Sequence, residues 1–304
     1  MENNLVDWKR VGIFIAFAFG TAWLVALVLY LTGGLTPTPY TLIMLGGGYM
    51  SAPALAHILT RLVTREGWQG LYLRPNIKKG WVYWLICWVS PALFAFAGMA
   101  VFFALFPQYY DPTFSAVTKL MEQSAAAAAG QTLPAMNPWI IVLSQTLTAL
   151  LVAPILNAIP ILGEEFGWRA YLQPKLMPLG GKKAMLVMGV VWGLWHAPII
   201  AMGHNYGTEY LGAPWLGILT MTWFTFILGT FIGWAALRAD SVWPAVIGHG
   251  AINGIAGIYV FFTQGSPNLV LGPSLAGIIG SWAIAVVALI IFLKRDALKP
   301  YEGV

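Results

Sequence analysis

The stretch VGIFIAFAFGTAWLVALVLYLT, residues 11–32, contains no acidic or basic side chain. A helix needs about 20 apolar residues to cross a bilayer core, so this run is long enough for one span. The charge-free region continues to Thr60, and three more cover Gly80–Tyr110, Gln123–Gly163 and Ser241–Leu293. Over all 304 residues, 59% are hydrophobic and only 9% are charged, whereas soluble domains carry ~25% charged residues. Such a chain could not keep a water-facing surface. A soluble enzyme and a DNA-binding domain are therefore excluded, and the basic balance does not signal nucleic acid. The fold class is all-α, a polytopic membrane protein.

Cutting the apolar runs at charges and at Pro, Gly and Asn clusters predicts eight spans: 11–33, 41–63, 80–106, 139–163, 185–204, 215–237, 242–262 and 274–293. With the N-terminus inside, all but Lys119 of the 16 basic residues fall in cytoplasmic segments, as the positive-inside rule requires. Both ends are then cytoplasmic in a cell membrane. The first span lacks a small-residue cleavage pattern and reads as a retained helix. The basic connection 64–79 is expected to lie against anionic headgroups. The outer segment 107–138, with its alanine run at 124–130, reads as a short amphipathic helix or a disordered tip. The single cysteine, Cys87, excludes an internal disulfide. No repeat or soluble domain is visible, so residues 1–304 form one membrane domain.

Ionisable groups inside spans are costly and mark function by default. Glu164 and Glu165 end the fourth span. Glu165 and Arg169 are spaced i, i+4 for an ion pair, which turns Glu164 about 100° away. One carboxylate would anchor a helix end; the second suggests a general base. His196 lies within the fifth span. His249 and Asn253 share one face of the seventh, where Gly250 and Gly254 would let a neighbouring helix approach. His57 reads as an interhelical hydrogen bond and His204 as an interfacial residue. Gly229-x-x-x-Gly233 reads as a packing surface, and the tryptophans read largely as interfacial belts.

A carboxylate and an imidazole can hold and deprotonate a water for attack on a carbonyl. A second imidazole and an amide can stabilise the resulting oxyanion. No nucleophilic Ser or Cys has a nearby base motif. Glu164, His196 and His249 also form an alternative zinc set, although no His-Glu-x-x-His helix is present.

Glu164-Glu165-x-x-x-Arg169, Trp192-x-x-x-His196 and His249-x-x-x-Asn253 together resemble the motifs of the CAAX protease and bacteriocin-processing family of intramembrane proteases. That family includes the Rce1-type enzymes. Residues 64–75 are also similar to bacterial members, while the rest of the chain is similar mainly in hydropathy. The resemblance implies an endopeptidase acting on membrane-associated peptides or proteins. It gives Glu164 the water-activating role, with His196 positioning that water. His249 and Asn253 would form the oxyanion hole, supported by Glu165 and Arg169. Members are assigned either a metal mechanism, with zinc as the cofactor, or a metal-free glutamate mechanism. Trp192 stands where Phe is usual, a change expected to alter packing more than chemistry. The active site is expected nearer the cytoplasmic face, with its cavity opening there. The rival readings are a non-catalytic scaffold or bacteriocin-immunity protein of the family, and a proton-coupled transporter. The transporter should show repeat symmetry or paired broken helices, and the sequence shows neither.

Overall fold

The computed structural model describes residues 5–127 and 137–299. Among them the chain is helical, without strands beyond one isolated bridge between Tyr110 and Thr263. Six helices are long and apolar enough to cross a membrane. Here α1 is Trp8–Leu31, α2 Pro39–Thr64 and α3 Ile77–Leu105. A short α4, Ser115–Ala127, precedes α5, Pro138–Leu156; the run at 128–130 lies outside the described residues. Then come α6, Ala158–Gly167, α7, Gly181–Trp195, and α8, Ala197–Ala201. The bundle closes with α9, Trp215–Ala239, α10, Trp243–Ile255, and α11, Trp282–Leu293.

Local chemistry sets these limits. Asp7 caps α1 by accepting from the Arg10 amide at 3.1 Å, satisfying one of the donors that a helix start leaves unpaired. Asn137 does the same for Trp139 at 3.0 Å. Arg65 and Asp240, both left-handed, end α2 and α9.

Three expected spans are broken. The fourth turns between Leu151 and Asn157, around Pro154, and restarts as α6 with a π-helical continuation, Trp168–Leu172. The fifth breaks at His196, because Pro198 has no N–H for the carbonyl one turn back. The eighth was expected to start at 274, yet α11 begins only at Trp282. Residues before it form a non-helical loop in which Ser274, Leu275, Ala276 and Ser281 are buried. Irregular backbone at membrane depth survives only when covered by protein or lining a cavity, and this loop does both.

The basic connections gather at one end of the bundle. Glu66 there takes an ion pair from Lys175 and lies 3.6 Å from Arg10. Asn76 donates to the carbonyls of Ala239 and Asp240. α7 leaves this basic end and packs antiparallel on α9, with Gly193 against Thr222 and Gly189 against Phe226. Small residues permit such close approach between membrane helices. Gly250 and Gly254 do the same on α10, facing Pro154 and Ala149 of α5.

Candidate active site

Turning within the fourth span brings the Glu164–Glu165 pair inward: the side chains are 3% and 0% exposed. Their helix is anchored from α2. His57 Nδ1 lies 2.9 Å from the Phe166 carbonyl, which can only accept, so Nδ1 carries the proton. His57 Nε2 then accepts from Arg61 Nε at 2.6 Å. The interhelical role expected for His57 is what the structure shows.

Glu165 and Arg169 form the expected i, i+4 ion pair at 3.1 Å, with both side chains fully shielded. The same carboxylate accepts from His249 Nδ1 at 2.8 Å, which fixes the ring and leaves Nε2 for other partners. The Arg169 guanidinium stacks 4.2 Å from the Trp192 ring centroid. Gly229 and Gly233 are a packing surface, as expected, and they face this cluster together with Trp192 and Met185 of α7. A methyl on Gly229 would meet Arg169 Nη2 at 3.5 Å, and one on Gly233 would meet Gln173 Oε1 at 2.8 Å.

Glu164 points elsewhere, into a cavity of about 300 Å³ whose lining includes His196, His249 and Asn253. Four of the six expected site residues thus reach one cavity from three separate segments, and the other two stand behind His249. His196 Nδ1 donates to the Trp192 carbonyl at 2.8 Å, so the neutral ring presents an Nε2 lone pair. Trp192 corrects the expectation made for it. Its indole N–H donates to Glu164 Oε2 at 3.0 Å, a bond that Phe could not make. Trp168, Trp192 and Trp195 are buried around the site, so these three do not belong to interfacial belts.

The cavity also includes residues that the sequence reading missed. Tyr49 lines it and donates to the Trp195 carbonyl at 2.5 Å. His204, expected at the interface, lines it with Asn205 and with Ser274–Ala276 of the irregular loop. These last groups lie at the end of the bundle opposite the basic connections. Gly229, against which Arg169 rests, is about 15 Å along α9 from Ala239 at the helical rise per residue. The site is therefore near mid-depth, and its cavity runs away from the basic end rather than opening among the basic loops as expected.

Among the described residues, no three His, Cys, Asp or Glu side chains converge closely enough to hold a metal ion. Glu164, His196 and His249 share the cavity without forming the tetrahedral cluster that zinc requires.

Residues 138–255 match the family model described as type II CAAX prenyl endopeptidase Rce1-like. Residues 138–255 are thus similar to the Rce1-like endopeptidases. The matched residues run from the start of α5 to the end of α10, so this stretch holds all three motifs. Within 95 residues the chain is 35% identical to CAAX prenyl protease 2 of Methanococcus maripaludis, a stretch covering 30% of this chain and 34% of that protein. The chain thus matches about a third of the length of this relative.

Proposed function

We propose that this chain is an intramembrane endopeptidase that hydrolyses membrane-associated peptides or proteins with a water activated by Glu164. The observation that carries this reading is the meeting of Glu164, His196, His249 and Asn253 in one cavity. Trp192 holds one Glu164 oxygen, leaving the other for a water that His196 Nε2 can also engage. Glu164 takes a proton from that water as its oxygen adds to the scissile carbonyl carbon. His249 and Asn253 hydrogen-bond the oxyanion. With Nδ1 committed to Glu165, His249 Nε2 can donate to the oxyanion only when the ring carries a proton on both nitrogens. The C–N bond then breaks, and the proton passes from Glu164 to the leaving nitrogen. The products are one carboxylic acid and one amine, and no step runs through a metal.

Apolar walls formed by Met221, Phe224, Leu228 and Ile252 favour a substrate with apolar side chains. We place the protein in the cell membrane with its basic end, and so both termini, cytoplasmic. On that orientation the cavity reaches from mid-depth toward the outer leaflet. The test compares peptides released from membranes bearing wild-type protein with those bearing Glu164→Gln at equal abundance. Products that appear only with wild type support the reading; identical profiles across growth conditions overturn it in favour of a non-catalytic family scaffold.

A further inference from the structure

A groove of about 460 Å³ runs between α3, α9 and α11 at the basic end of the bundle. Its walls include Tyr83 and Ile86 of α3, Trp234 of α9, and Val287 and Ile290 of α11. The first four are only partly buried and Ile290 is exposed, so the groove faces outward rather than into the core. The Tyr83 and Trp234 rings meet edge to face at 5.1 Å. Such aromatic side chains are enriched where a bilayer core gives way to headgroups.

The mouth of the groove is charged. Arg238, near the end of α9, and Lys294 and Arg295, just beyond α11, line it together with Asp296. That carboxylate is already engaged: Lys299 Nζ lies 3.0 Å from one oxygen and Arg295 Nε 3.8 Å from the other. Asp240, close in sequence to Arg238, pairs instead with Lys79 at 4.0 Å. Among the described residues, Arg238 and Lys294 make no ion pair. Val287 lies about 10 Å deeper than Lys294 at the helical rise per residue. Cations at the mouth above apolar walls match the two ends of a phospholipid, and basic pockets between membrane helices take anionic headgroups. A free anion would use the cations and leave the walls unused. A zwitterionic lipid would use the walls but bring a further cation to a mouth that already has positive charge in excess.

We infer that this groove holds one anionic phospholipid from the leaflet at the basic end. Its phosphate sits on Arg238 and Lys294, and an acyl chain lies along Trp234, Val287 and Ile290. The inference goes beyond the protease reading and does not rest on it, because none of these residues lines the cavity that holds Glu164.

The test is native mass spectrometry of the purified, delipidated full chain in an uncharged detergent, titrated with phosphatidylglycerol or with phosphatidylcholine of the same acyl chains. We expect one phosphatidylglycerol to bind about 10-fold more tightly than phosphatidylcholine. Glycerol 3-phosphate, which has the charge without the chain, should not displace it at equal concentration. Arg238→Gln with Lys294→Gln should weaken binding about 10-fold or more, as two lost surface cations predict. Val287→Trp, which fills the groove from its wall, should weaken it about as much. Arg65→Gln with Arg74→Gln removes the same charge from an exposed connection and should change binding by less than about 2-fold. Equal binding of the two lipids, displacement by glycerol 3-phosphate, or an equal loss in the Arg65 and Arg74 variant overturns the inference. So does unchanged binding in a folded Val287→Trp protein, or a dimer that this substitution abolishes, which gives the groove to a second copy. The lipid comparison and the competition use wild-type protein alone and decide the matter even where a variant fails to fold.

Discussion

Replacing Glu165 with alanine should cost about 3 kcal/mol of stability. The Arg169 side chain is fully shielded, and its one hydrogen bond goes to Glu165. Removing one partner of a buried pair costs about 3–5 kcal/mol, because the other charge stays buried without compensation. The lower end applies here, since the Trp192 ring at 4.2 Å retains a cation–π contribution of about 1–2 kcal/mol. Replacing both charges, as in Glu165→Leu with Arg169→Met, should restore most of the loss, because well-packed apolar pairs substitute for buried ion pairs at little net cost. Unfolding in mixed micelles titrated with SDS, followed by tryptophan fluorescence, gives the three free energies needed for the cycle. A single Glu165→Ala variant within about 1 kcal/mol of wild type would refute the reasoning. So would a double variant no more stable than the single one.

Trp192→Phe removes the donor to Glu164. A hydrogen bond to a charged group is worth about 1.5–3 kcal/mol, and water in the cavity can replace part of it, so kcat/KM should fall about 10-fold with little change in KM. An unchanged kcat would show that the indole N–H does not position Glu164. His57→Phe leaves the Phe166 carbonyl and Arg61 Nε without their partners and should destabilise the fold by about 1–3 kcal/mol, measured by the same SDS titration. Outside the spans, burial alone would raise the Asp111 carboxyl, but hydrogen bonds from Ser115 and Thr113 bring it down to about 2 from 3.8. Its contribution is therefore complete above the ordinary carboxylate range and is lost as pH falls from about 4 to about 2. Hydrogen exchange at the start of α4 should lose protection over that window. Asp111→Ala should lower protection about 5-fold at pH 6, the roughly 1 kcal/mol of a missing helix cap, and abolish the pH step; a step that persists would assign it to another group.

The membrane class was readable from charge-free runs because the bilayer requirement is simple and long-range. The Glu165–Arg169 pair was readable because i, i+4 neighbours on a helix meet without help from the rest of the fold. The breaks at Pro154 and Pro198 escaped a hydropathy reading, since proline interrupts backbone hydrogen bonding without interrupting apolarity. Ser274–Ala276 escaped for the same reason: an irregular loop sealed inside protein has the composition of a span. Trp192, His204 and Tyr49 took on roles that depend on which helix lies opposite, information that no local pattern carries. Gly229 and Gly233 had the spacing of a packing motif and do receive neighbouring helices, but that Arg169 and Gln173 are among the side chains they receive was not legible from the spacing.

The central claim is that Glu164 activates a water that attacks the peptide carbonyl directly. The most direct measurement is single-turnover cleavage, in H₂¹⁸O, of a peptide identified in the Glu164→Gln comparison, followed by mass spectrometry of both product and protein. Direct attack predicts one ¹⁸O in the new carboxyl group, none in Glu164, and no product with Glu164→Gln. Label in the Glu164 carboxylate, or cleavage that persists in Glu164→Gln, would contradict the account.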